Sequence, residues 1–398
     1  MSGIRLINVV PTLLCGGTET QFMTLARALD PGRFDVRFAC LRQLGPFVDE
    51  LSERGVPLRE YRVSTFCSVD AVRQQLKFAR DVRREAIDIV HTYSFYGNVF
   101  GVPPGRAAAP VVVASVRDRG LYLTSMQKRV QRYVCRLADR VLVNAAAVKS
   151  WLADQGFPAS RIIVIPNGVD LSRFNRRVGP AALRQSLGVS HDARLVAVVS
   201  RLHRLKGIED FLDAAAIVAA THPDVRFLVV GQPSPVDNVA YLDELSQRAR
   251  HLGIGERVIF TGLRDDVPAL LSAVDVSVMP SLNEALSNVL LESMAAGAPV
   301  IATDVGGTTE ALHDGRNGLL IPPGSPAAMA AAIDRLLSNS SLARDLGARA
   351  RQSIADKFSL DRMVAATAAV YEDLLVRKQR RRVAPAQVRA IKRQQGTA

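Results

Sequence analysis

The sequence predicts an α/β protein of two domains, each a parallel sheet flanked by helices in the Rossmann manner. Three observations lead there. Short β-branched runs alternate with amphipathic stretches along almost the whole chain. The alternation pauses once, near the middle, in a polar stretch rich in turn residues. The 398 residues exceed what one ordinary core accommodates and suit two.

In the first half, residues 4–10, 34–40, 87–91, 111–115, 141–144 and 162–165 read as buried parallel strands. Between them apolar residues fall at helical spacing, as in Val72, Leu76, Ala79 and Val82. Such alternation implies βαβ units with right-handed crossovers. Residues 166–180, PNGVDLSRFNRRVGP, open on a Pro-Asn-Gly turn signal and read as the linker. The pattern restarts with strands over 195–200, 225–230, 258–261, 274–279 and 300–302. Helices are expected over 208–220, 286–296, 326–337 and 360–378. The domain map is therefore 1–170, a linker over 171–190, 191–358, a terminal helix over 359–378 and a basic tail over 379–398. In open parallel sheets, ligands bind outside the carboxyl ends of the strands.

Composition narrows the function classes. The chain is 48% apolar and 22% charged, as a globular protein is. No apolar run reaches the roughly 18 to 20 residues that span a bilayer. The first ten residues are strand-like and lack the features of a signal peptide. Cys15, Cys40, Cys67 and Cys135 show no C-x-x-C spacing, so they read as reduced thiols of a cytoplasmic protein. The formal net charge of +13 favours an anionic partner. Residues 377–398 hold eight Lys or Arg and no acid, and residues 128–140 hold five against one Asp. Both read either as solvated charge or as contacts with an anionic surface. Nucleic acid is not expected, because the tail lacks interleaved aromatics.

Four segments at strand ends carry candidate chemistry. Gly16-Gly17-Thr18-Glu19 precedes a helix; its glycines admit close approach of a ligand, and the helix N-terminus offers N–H groups to a phosphate. A tight turn capped by Thr18 is the structural alternative. SRLHRLKGIEDF places Arg201 and Lys206 between a strand and a helix, a cation pair suited to a diphosphate, with ordinary exposed loop cations as the structural alternative. PSLNEALSNVLLESMAAG holds Glu284 and Glu292; with a helix beginning near Ala285, Glu284 stands at its mouth and Glu292 about two turns inside. The peptide N–H groups of Leu286, Ser287 and Asn288 then face a phosphate or sugar oxygen. Glu292 has small or apolar neighbours and needs a donor, which ribose hydroxyls or a protein group would supply. TDVGGTTE opens a further helix on Gly306-Gly307, with Glu310 in its first turn. Neither domain opens with G-x-G-x-x-G, which puts the nicotinamide enzymes of similar outline well behind.

In this order, GGTE, IPNGVD, SRLHRLKG, TGLRDDV, the Glu284/Glu292 pair and GGTTE resemble the retaining glycosyltransferases of family 4 over nearly the whole chain. The resemblance implies the GT-B fold, two Rossmann-like domains facing each other across a cleft. It puts the donor nucleotide in the C-terminal domain and the acceptor mainly on the N-terminal one, with the last helix crossing back. By matching position, Arg201 and Lys206 would bind the donor diphosphate, Glu292 the ribose and Glu284 the transferred sugar. Leu286, Ser287 and Asn288 would add backbone contacts. Leu263 and Arg264 would line the base pocket, and Gly16 and Gly17 would approach the phosphates.

The implied activity is transfer of a hexose from a nucleotide sugar, a UDP- or GDP-sugar, to a glycan or lipid-linked acceptor in cell-surface polysaccharide or glycolipid assembly. No cofactor or metal is expected: the chain has no Asp-x-Asp motif, and cations with helix N–H groups stabilise a leaving diphosphate. Where many members carry a His after the fifth strand, VVVASVRD has Arg117, followed by Asp118. Arg cannot act as a base near neutral pH, so it would steady the leaving phosphate or hold an acidic acceptor; loop surface charge is the structural alternative. His91, in DIVHTYS, reads as a satisfied core residue or as one facing substrate. A peripheral contact with the inner face of an anionic membrane accompanies this reading. A nucleotide-sugar 2-epimerase and a non-catalytic sugar-nucleotide binding protein are the alternatives.

Overall fold

The computed structural model describes residues 3–175, 180–233 and 240–395, with side chains described as far as 380 except at 180 and 181. The chain forms two compact units, divided between Pro166 and Asn167 and again between Leu360 and Asp361. The first unit therefore joins the N-terminal residues to the last helix, and the second holds everything between.

Among the described residues each unit contains one sheet, and every pairing between named strands is parallel. The first comprises β1 (Ile4–Val10), β2 (Phe34–Cys40), β3 (Leu58–Glu60), β4 (Ile89–Tyr93), β5 (Val111–Val116), β6 (Arg140–Val143) and β7 (Ile162–Val164), in the order β3-β2-β1-β4-β5-β6-β7. The second comprises β8 (Arg194–Val199), β9 (Val225–Val230), β10 (Val258–Gly262), β11 (Val276–Met279), β12 (Val300–Thr303) and β13 (Leu319–Ile321), in the order β10-β9-β8-β11-β12-β13. Strand order reverses between β1 and β4 in one sheet and between β8 and β11 in the other. The loops leaving these strands diverge at those points and open a crevice.

The apolar runs follow from the layers. Along β8, Val196 and Val198 pack into one core, while Leu195, Ala197 and Val199 pack into another. On β9 the same alternation sends Val225, Phe227 and Val229 one way and Leu228 and Val230 the other. Both faces are covered by helices, so a strand with period-two side chains must be apolar throughout.

Several boundaries differ from the sequence expectation. The strand expected over 87–91 runs Ile89–Tyr93, because Thr92 pairs with Val9 and Ala114, and Tyr93 with Ser115. His91 is therefore mid-strand and not at a strand end. The helix expected from Leu286 begins at Asn288, since Ser287 is extended and its side chain accepts the Leu290 N–H. β3 and β13, three residues each, are too short for periodicity to register. The expected linker holds a 3-10 turn, Leu171–Phe174, and a helix, Pro180–Ser186; residues 176–179 lie outside the described residues. The last helix runs Leu360–Gln395, past the expected end at 378, and the side chains of the basic tail beyond 380 are outside the description.

Candidate functional site

In the second unit the loops after β8 and β11 are neighbours, and each carries one charge of a pair. After β8 the chain passes Arg201 and turns through a 3-10 segment, Arg204–Lys206, which ends at Gly207 in a left-handed conformation (φ 64°). A Cβ there would lie 2.0 Å from the Pro280 carbonyl oxygen, so only glycine lets the Lys206 loop rest against the loop after β11. The Leu282 N–H donates to the Leu205 carbonyl at 2.8 Å and ties the two loops. Lys206 Nζ then donates to Glu284 Oε1, with the side chains 24% and 13% exposed. Ser281 Oγ donates to the same carboxylate oxygen at 3.0 Å.

A third loop closes on the same strip. Gly306, after β12, adopts φ 55°, and a Cβ there would lie 1.7 Å from the Glu284 carbonyl oxygen. The Gly307 N–H donates to the Ala285 carbonyl at 2.6 Å. The glycines of TDVGGTTE thus let one backbone lie directly on the other. Three turns from β8, β11 and β12 hold Lys206, Glu284 and the residues up to Asn288 in one place.

The remaining donor candidates are placed as follows. Leu286 and Ser287 are buried, and Asn288 opens the helix Asn288–Ala296. Glu292 lies on that helix with its side chain 18% exposed. Burial pushes its carboxyl above the usual range, and Arg173, 3.6 Å away, pulls it back down. Arg264 makes a two-pronged contact with Asp266 at 2.7 and 2.6 Å, and Leu263 is exposed beside it. Arg201 is exposed at the mouth of its loop. Sequence reasoning missed Ser281, Asn167 and Arg173. Asn167 and Arg173 stood in a segment read only as turn and linker, and Ser281 carried no signal beyond proximity to Glu284.

In the first unit the candidates are Gly16 and Gly17 after β1, His91 within β4 and Arg117 directly after β5. Gly16 caps the helix Gly17–Ala28 in an extended conformation, so Thr18 lies inside the first turn and is not the cap. His91 is 2% exposed and engaged at both ring nitrogens. Nδ1 lies 2.6 Å from the Tyr371 hydroxyl and 2.9 Å from that of Tyr93, and Nε2 lies 2.8 Å from Ser115 Oγ. Burial lowers its pKa to about 3, helped by the nearby positive charge of Arg117. His91 is therefore a neutral link in a buried hydrogen-bond network, the core arrangement of the two expected.

Arg117 and His91 line a cavity of about 20 Å³, room for roughly one water, together with Gln21, Tyr93, Ser115 and Thr367. Burial depresses the Arg117 pKa while Tyr93 and Glu19 oppose that, and a guanidinium stays cationic near neutral pH. Among the described residues no group of His, Cys, Asp and Glu is arranged to hold a metal ion. None of the described helices is long and apolar enough to cross a membrane.

Two family models match. The model for glycosyl transferases group 1 covers residues 181–353, and that for glycosyltransferase family 4 covers residues 15–173. A D-inositol 3-phosphate glycosyltransferase of Streptomyces bingchenggensis is 31% identical over 306 residues, 72% of this chain and 67% of that one. The protein of the same name from Geodermatophilus obscurus is 34% identical over 313 residues, 74% and 69% of the two chains. Among solved structures, Anabaena Alr3699/HepE in complex with UDP superposes with a TM-score of 0.82 at 24% identity, over 94% of this chain and 100% of that one. WaaG, a glycosyltransferase involved in lipopolysaccharide biosynthesis, superposes at 0.72 and 20% identity, over 92% and 99%.

Two outcomes follow from the geometry. Gly315 also has positive φ (65°) but open space where a Cβ would go. Gly315→Ala should thus cost only about 1–2 kcal/mol of left-handed strain. Gly306→Ala adds the collision with Glu284, so its melting temperature should fall well below that of Gly315→Ala in thermal denaturation. His91 stays neutral in the fold down to about pH 3, whereas the unfolded chain protonates it below its ordinary value of 6.5. Its contribution to stability is therefore intact above pH 6.5 and declines as pH falls towards 3. Denaturant titrations at pH 7.5 and 4.5 should show a smaller acid loss in His91→Gln than in the natural chain.

Proposed function

Because the chain belongs to the group 1 and family 4 glycosyltransferases, enzymes of the GT-B fold, we propose that it moves a hexose from a UDP- or GDP-sugar to a glycan or lipid-linked acceptor with retention at the anomeric carbon. The observation that carries the reading is the strip from Glu284 to Glu292, held against Lys206 where strand order reverses. Relatives named D-inositol 3-phosphate glycosyltransferase support glycosyl transfer, and a fold neighbour in complex with UDP supports a nucleotide donor.

In this reading Lys206 and Arg201 bind the donor diphosphate, Glu284 the hexose and Glu292 the ribose. Ser287, Asn288 and Leu286 supply backbone contacts, and Leu263 and Arg264 border the base. Charge develops on the diphosphate as the bond to the anomeric carbon breaks, and fixed cations stabilise it most at that moment. The acceptor oxygen bonds to the same face of that carbon, and its proton passes to the departing phosphate oxygen. Glu284 is not the nucleophile of a double displacement: its carboxylate is engaged by Lys206 and Ser281. Arg117 on the first unit holds a negative group of the acceptor, and Gly16 and Gly17 admit phosphate at the adjacent helix N-terminus.

The anionic surface of a membrane suits the helix Ser125–Leu137. Met126, Tyr133 and Leu137 are exposed on it and Tyr122 just before it, with Lys128, Arg129, Arg132 and Arg136 interspersed. Basic side chains among exposed aromatic and aliphatic ones are the composition of an interfacial helix.

A thermal-shift screen should give a higher melting temperature with one nucleotide sugar of a UDP and GDP panel. With that donor and acceptor lipids, Lys206→Ala and Glu292→Ala should each lower kcat/KM at least about a hundredfold. Transfer unchanged in both would remove the site assignment, and release of an epimerised sugar without acceptor would mark an epimerase. In co-sedimentation, Met126→Ser with Tyr133→Ser should lose binding to vesicles containing phosphatidylglycerol, and pure phosphatidylcholine vesicles should bind neither chain.

A further inference from the structure

The segment in which the chain enters the second unit is built onto the donor strip. Asn167 is 3% exposed, and its Nδ2 donates to the Leu286 carbonyl at 3.2 Å and to Asn288 Oδ1 at 2.6 Å. Six residues on, Arg173 stands 3.6 Å from Glu292. These two contacts reach the middle and the far end of the stretch that grips the donor in the proposed function.

The segment is held firmly enough to act on the strip. Asp170 accepts from the Ser172 N–H and hydroxyl at 3.0 and 2.6 Å and so starts the turn Leu171–Phe174. Phe174 is buried beneath it. Val169 is bonded on both sides to the segment by which the chain leaves the unit. Its N–H donates to the Phe358 carbonyl at 2.9 Å, and its carbonyl accepts from the Leu360 N–H at 2.9 Å. Asn175 Oδ1 accepts from Arg351 at 2.9 Å. Both Asn167 and Arg173 thus sit on a braced piece of backbone, as positioning groups must.

We propose that Asn167 and Arg173 are positioning residues of the donor site: Asn167 sets the backbone from Leu286 to Asn288, and Arg173 orients the Glu292 carboxylate towards the ribose. The inference rests on the donor reading above. The amide is required at 167 because it alone, at that size, donates to two oxygens at once; a carboxylate there would face two acceptors. A cation is required at 173 because Glu292 is mostly buried, and a buried carboxylate without a partner takes up a proton and loses its strength as an acceptor.

The test is calorimetric titration of the full chain with UDP and with GDP, alongside steady-state kinetics with the donor that the screen identifies. Asn167→Asp and Arg173→Gln should each weaken binding of the preferred nucleotide about tenfold and raise KM for the donor, with kcat nearly unchanged. Arg173→Lys should restore most of the affinity. Asn175→Ala, in the same segment but bonded to Arg351, should bind as the natural chain does. Glu292→Ala separates the two levels. If it abolishes binding while Asn167→Asp and Arg173→Gln bind normally, the positioning role is overturned and the donor reading stands. If Glu292→Ala itself binds normally, the donor reading is overturned and this inference with it. Equal loss in Asn175→Ala, or loss of kcat in proportion to melting temperature, would make the segment merely structural and also overturn the proposal.

Discussion

The ion pair between Lys206 and Glu284 is the interaction around which the second unit is arranged. The two side chains are 24% and 13% exposed, and each comes from a different strand loop. Pairing them requires the two loops to touch, which requires a residue without a side chain at 207. Gly306 imposes the same condition on the third loop, where the Glu284 carbonyl occupies the space of a Cβ. A charge pair and two glycines thus convert three independent turns into one rigid surface. In the proposed function such a surface would meet the charge of a leaving group without reorganising, which is the physical advantage of preorganised cations.

The first unit solves a different problem with the same topology. Its strands β4 and β5 place His91, Tyr93, Ser115 and Arg117 together, and the last helix adds Tyr371. His91 is drained of its acid–base role by burial and by the adjacent guanidinium. Its three hydroxyl partners make it a spacer that keeps polar groups satisfied behind Arg117. The network fits a site whose charge is permanent, not one that exchanges protons.

Glu292 shows how finely such a site depends on its supports. Desolvation alone would favour the protonated carboxyl, and Arg173 acts in the opposite direction. In the proposed function this carboxylate would accept from ribose hydroxyls and must keep its charge, so the supporting cation would matter as much as the glutamate. The contact is 3.6 Å and half exposed on the arginine side, which marks it as adjustable and not as part of the core.

The sequence by itself determined the two parallel sheets, the β8, β9, β11 and β12 strands within two residues, and the family. Period-two burial on both faces writes itself as unbroken apolar runs, and each glycine-rich loop stands at a strand end where it can be read. It also singled out Arg201, Lys206, Glu284, Glu292 and Arg117, because they stand in or just after the loops at the carboxyl ends of parallel strands, where ligands bind. Only the tertiary structure decided that Lys206 faces Glu284, that His91 is locked by Tyr371 from 280 residues away, and that the supposed linker supplies Asn167 and Arg173 to the strip. Those facts depend on the packing of segments distant in the chain. Local periodicity carries no record of which loop will meet which, and a turn-rich stretch looks the same whether it hangs in solvent or braces a binding site.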